Sequence, residues 1–104
     1  MATTDPVLTQ FRVALDALYG ERIERVVLFG SRARGDARPD SDYDVAVFLQ
    51  GYDDFGREAQ TLAEIETTIL DERGVVINSL PFPAGAYQNR TGLMQEIRRE
   101  GLDL

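Results

Sequence analysis

Cysteine and histidine are both absent from this sequence. Without cysteine there is no disulfide framework and no thiolate metal site. Without histidine there is no imidazole general base, no histidine-type zinc site and no Ser-His-Asp triad. No apolar run approaches the length that crosses a bilayer. The start, MATTDPVLTQ, lacks the basic and apolar regions of a signal peptide. These absences fit the cytosol and leave carboxylates, hydroxyls and arginines to do any chemistry. Positive charge is also scarce: the formal net charge is −7. Non-specific nucleic-acid binding needs cations that neutralise phosphates, so direct binding to a nucleic acid is not expected, nor is a membrane. The arginines are clustered, with Arg32, Arg34 and Arg38 together and Arg98-Arg99 near the end. A small positive island on an acidic chain suits a small anion better than a long polyanion.

The 104 residues, 43% apolar and 28% charged, are enough for one compact domain over 1–104 with a modest core. Such a domain can build one half of an enzyme site but hardly a deep pocket for a large second substrate. Repeats, low-complexity tracts and linkers are missing.

The pattern predicts a first helix over Pro6–Tyr19, with Asp5 as N-cap and Gly20 as its stop. Leu8, Phe11, Leu15 and Leu18 would form its inner face. A strand follows over Arg25–Phe29, then a helical turn over Ser31–Arg34 ending at Gly35. Residues 37–41 read as a loop, and Tyr43–Leu49 as a strand buried on both faces. A loop over Tyr52–Gly56 leads to a helix over Arg57–Arg73. A third strand over Val75–Leu80 should be closed by Pro81 and Pro83, which cannot donate to a ladder. The tail from Asn89 to Glu100 reads as a helix with Leu93, Met94 and Ile97 inward. The order α-β-β-α-β-α, with its helical turn between the first two strands, predicts an α/β (α+β) fold: a small mixed sheet flanked by helices.

The chemistry lies in VVLFGSRARGDARPDSDYDVAVFL. Gly30 has no Cβ, so a phosphate can approach the backbone there, and Ser31 opens a short helix with outward N–H groups and a hydroxyl donor. Arg32 follows as a candidate phosphate partner. Ten residues, 32–41, separate Ser31 from Asp42, and Asp44 follows. Side chains alternate along a strand, so these two acids share a face, and their neighbours Ala46 and Phe48 place them at a core edge. Adjacent ionised carboxylates repel, more so when buried, and a divalent ion relieves both costs. There is no Gly-Lys-Ser/Thr for a P-loop and no Gly-x-Gly-x-x-Gly for a dinucleotide fold. Asp36, Asp40, Asp53 and Asp54 read as solvated loop acids.

Gly30-Ser31, ten residues and Asp42-x-Asp44 resemble the nucleotidyltransferase motif of the DNA polymerase beta superfamily. FGSRARGDARPDSDYDVAVF resembles in particular its minimal nucleotidyltransferase (MNT) domains. The resemblance implies that Gly30 and Ser31, with Arg32, hold the triphosphate of ATP. It implies that Asp42 and Asp44 bind Mg²⁺ and act as the catalytic acids. It also implies an antitoxin that adenylylates a tyrosine of a HEPN-domain ribonuclease toxin. The family's third carboxylate belongs on a later strand. Val75–Leu80 holds no acid, and Asn78 is its only candidate. The alternative is a nucleotide-binding module of weak or no turnover that neutralises its partner by contact.

Overall fold

The computed structural model describes residues 5–104. Helix α1 spans Pro6–Tyr19, and the Asp5 side chain caps it by accepting from the N–H groups of Val7 and Leu8. Such a cap is worth about 1 kcal/mol. Strand β1 spans Ile23–Phe29, the short helix α2 Ser31–Arg34, and strand β2 Tyr43–Leu49. Helix α3 spans Phe55–Arg73, β3 Ile77–Pro83, α4 Gly92–Glu100 and β4 Leu102–Asp103, with short 3₁₀ turns at Gly20–Arg22 and Ala86–Gln88. The sheet runs β3-β2-β1-β4. β1 is antiparallel to β2 and β4, while β2 and β3 are parallel. This is the mixed sheet with flanking helices that the pattern implies, with a fourth strand added at its edge.

Alternation along β1 and β2 divides the core in two. Val26, Leu28, Val45, Val47 and Leu49 face α1 and α3, where they pack with Phe11, Leu15, Leu62 and Ile69. Val27, Ala46 and Phe48 face the other way, against Met94 and Ile97 of α4. β2 is therefore buried on both sides, as its unbroken apolar run requires. Ala46 and Phe48 mark the face that Asp44 and Asp42 share. Two expected core residues are not in the core: Leu18 is 54% exposed and Leu93 38%. Both stay open to solvent, and Tyr19 is buried in place of Leu18. α3 starts two residues early because Asp54, read as solvated, caps it through Gly56 and Arg57 N–H. α4 starts at Gly92, three residues late, because Thr91 caps it through Met94 N–H.

The third strand departs most from expectation. Pro81 and Pro83 lie inside β3, paired with Val47 and Leu49. Parity explains it. Val76 C=O accepts from Tyr43 N–H and Ala84 N–H donates to Leu49 C=O, so even-numbered residues turn toward β2. The outward N–H of Ser79 is held by Glu66 Oε2 at 2.7 Å. Pro81 and Pro83 share that outward parity, so no ladder bond is lost. Among the described residues no helix is long and apolar enough to cross a membrane.

Candidate active site

The site lies where β1 ends and β2 and β3 begin. β1 runs antiparallel to β2 so that Phe29 pairs with Asp44. The next residue, Gly30, turns at φ 76°. An L side chain rarely adopts that conformation. Space forbids a side chain as well: a Cβ on Gly30 would lie 2.4 Å from Asp44 Oδ2. The glycine thus brings bare backbone directly against the carboxylate. Ser31 then opens α2, whose first turn closes through Ala33 and Arg34 N–H on Gly30 C=O. Gly35, at φ 84°, ends it.

The loop back to β2 is tied down by Arg32. Its Nε and Nη2 donate to Ser41 C=O at 3.2 and 2.8 Å, and Nη2 also reaches Pro39 C=O at 3.2 Å. Its guanidinium lies 4.2 Å over the Tyr43 ring. The Tyr43 hydroxyl, on the opposite face from the two aspartates, donates to Asp5 Oδ2 at 2.7 Å. Arg32 therefore sets the path of the segment that delivers Asp42 and Asp44.

Asp42 is exposed and Asp44 half-buried. The parallel register sets Asn78 beside Asp44. Asn78 Nδ2 donates to Asp42 Oδ2 at 3.0 Å. Burial, and then the charge of Asp42, push the Asp44 carboxyl above its ordinary value, while hydrogen bonding from Asn78 and the charge of Arg34 pull the other way. Two acids on one face, one of them desolvated, are a donor set that fits one divalent ion. Magnesium commonly takes one or two protein carboxylates and completes its shell with water and phosphate oxygens. Among the described residues no cluster of three acidic, histidine or cysteine side chains forms a metal site.

At one end of the sheet Gly30 thus stands against Asp44 and Asp42 is joined to Asn78, with Ser31 directly after the turn; Arg32, expected beside the triphosphate, spends its guanidinium on the Ser41 and Pro39 carbonyls and on the Tyr43 ring. One contact has no forewarning in the motif. Gly30 N–H donates to Glu100 Oε1 at 3.1 Å. Arg34 Nη1 reaches the same oxygen at 3.2 Å. The one local hint in sequence is an acid in the last turn of a helix, where the dipole disfavours negative charge.

The profile of the family described as "Polymerase beta, Nucleotidyltransferase" matches residues 16–101. The chain belongs to this family. A curated relative in Methanocaldococcus jannaschii, named "Putative protein adenylyltransferase MJ0604", is 36% identical over 76 residues, which cover 73% of this chain and 70% of that protein. Among solved structures, a toxin-antitoxin with AMP-PNP superposes with a TM-score of 0.65 at 19% identity, covering 91% of this chain and 69% of that one. A minimal nucleotidyltransferase superposes with a TM-score of 0.61 at 24% identity, covering 99% and 100%. At these identities the two structures establish a shared fold.

Proposed function

We propose that this chain is a Mg²⁺-dependent nucleotidyltransferase that moves AMP from ATP to a hydroxyl of a partner protein, a HEPN-type toxin, and so acts as its antitoxin. The observation that carries the reading is the contact between Gly30 and Asp44, which brings a bare backbone turn and an acid pair to one point. The adenylyltransferase relative and the fold shared with a toxin-antitoxin holding AMP-PNP support it.

In this reading Gly30, whose N–H is taken by Glu100, leaves room for the triphosphate and Ser31 holds it at the start of α2, with Arg32 keeping the loop that carries the acids in place. Asp42 and Asp44 are the metal ligands and orient the α-phosphate. A bound divalent ion supplies positive charge that neither the acids nor the triphosphate can. The acceptor oxygen bonds to the α-phosphorus, the bond from that phosphorus to the bridging oxygen breaks, and pyrophosphate leaves with the electron pair. Asn78 cannot take the acceptor's proton, so that proton passes to water or to a base on the partner. Most of the rate gain would be positioning and charge neutralisation.

Asn78 also favours a second reading, a module that binds nucleotide and silences its partner by contact. Co-expression with the partner, followed by intact-mass spectrometry, separates them. AMP on the partner, absent with Asp42→Asn or Asp44→Asn, is the expected result. A silenced but unmodified partner would establish the second reading instead.

A further inference from the structure

Glu100 has no part in the chemistry proposed above, yet its side chain is only 10% exposed. It closes α4, at the end where the helix dipole opposes negative charge. What offsets that cost is Gly30 N–H at 3.1 Å and Arg34 Nη1 at 3.2 Å, both on Oε1.

The backbone around Glu100 is pinned independently. Met94 and Ile97 anchor α4 in the second core. A Cβ on Gly101 would lie 2.3 Å from Ile97 C=O and 2.4 Å from Val27 Cγ1, so the chain after Glu100 presses on β1 with no room for a side chain. β4 then pairs Leu102 with Leu28 and Asp103 with Val27. Leu104 N–H closes the run on Val26 C=O at 2.9 Å. The helix end is thus locked to the very strand that leads into Gly30, and Glu100 reaches along it to the turn.

We propose that Glu100, carried by the clasp of α4, Gly101 and β4, is a positioning residue that holds the Gly30-Ser31 turn against Asp44 in its nucleotide-binding shape. This rests on the reading that the site takes Mg²⁺ and ATP. Glu100 touches neither the nucleotide nor the reacting atoms. Its bond fixes the peptide plane entering Gly30, and without it the turn is free to swing off the carboxylate. Nucleotide binding must then restore that order, so affinity falls while the chemical step is spared.

The test is calorimetric titration of AMP-PNP with magnesium into wild-type protein, Glu100→Gln and Glu100→Ala. The Gly30 amide is followed by ¹H–¹⁵N NMR in the same samples without nucleotide. Glu100→Ala should bind about tenfold more weakly, the order expected from losing one charge-assisted hydrogen bond. Glu100→Gln should stay within about threefold, because its amide oxygen still accepts from Gly30. The Gly30 amide resonance should move upfield only in Glu100→Ala. A merely structural role would lower melting temperature and leave the affinity of the folded fraction unchanged. Wild-type affinity in Glu100→Ala, or equal weakness in Glu100→Gln, overturns the proposal. If Glu100→Ala does not fold, Glu100→Asp replaces it: its shorter carboxylate falls short of Gly30, and it must bind more weakly than Glu100→Gln. Wild-type protein that ignores AMP-PNP would overturn the nucleotide reading itself, and the Gly30 amide then decides the clasp alone.

Discussion

Replacing Gly30 by alanine should be among the costliest single-methyl changes in this protein, and its cost can be divided. A backbone at φ 76° and ψ −158° is essentially reserved for glycine and costs an L residue roughly 1–3 kcal/mol. The new methyl would also stand 2.4 Å from Asp44 Oδ2, about 1 Å inside ordinary contact. Either the turn or the carboxylate must move, and such overpacking costs typically 1–3 kcal/mol. The sum is about 2–6 kcal/mol, or a fall in melting temperature of roughly 10–30 °C for a domain of this size. Gly20→Ala is the nearest control. Its φ of 54° and ψ of −123° lie outside the αL region, as those of Gly30 do, and a Cβ there meets nothing within 4 Å, so the backbone component dominates. Urea denaturation of both variants gives the difference, expected at about 1–3 kcal/mol. Adding Asp44→Ala to Gly30→Ala removes the opposing oxygens and should recover much of that difference in a double-mutant cycle. If Gly30→Ala costs no more than Gly20→Ala, or if Asp44→Ala rescues nothing, the claimed contact does not organise the site.

Asn78→Asp should destabilise the metal-free protein by about 0.5–1 kcal/mol, since a solvent-screened donor to a carboxylate is lost and a third charge joins the pair. Magnesium should restore its melting temperature and raise transfer above wild type; a variant indifferent to magnesium would argue against the register placing that residue in the site. Asp44→Asn should raise the metal-free melting temperature, because burial and the Asp42 charge both disfavour the ionised form, and should abolish the stabilisation that magnesium gives the wild type. Thermal scans with and without chelator read both effects. Arg32→Ala removes the contacts to Ser41 and Pro39 and the cover over Tyr43. It should cost roughly 1–3 kcal/mol and make residues 37–41 the first site of limited proteolysis, with cleavage mapped by mass spectrometry.

How much of this was legible in the chain depended on the range of the signals. α1, α2 and β2 have the predicted bounds because caps, glycine stops and an unbroken apolar run are local features. The meeting of Gly30 with Asp44 was also foreseeable, since a short excursion between adjacent strands returns the chain beside its exit. Proline misled for β3, because its penalty depends on which way an N–H points, and only the sheet order decides that. β4 has two residues and no pattern of its own; it exists because Gly101 lays the tail on β1. Leu18 and Leu93 fit the helical period yet stay exposed, because the period does not say how wide a stripe of each helix its neighbours cover. Glu100 escaped notice because its bond to Gly30 spans 70 positions.

The outer margin of β3 has one more implication. A foreign strand seeking to extend the sheet there would find Ser79 already engaged by Glu66 and nothing to accept from at 81 or 83. Backbone-to-backbone addition would find carbonyls but no free N–H at 79, 81 and 83, which guards against edge-to-edge aggregation. Side chains are therefore the stronger handle for whatever docks on that flank.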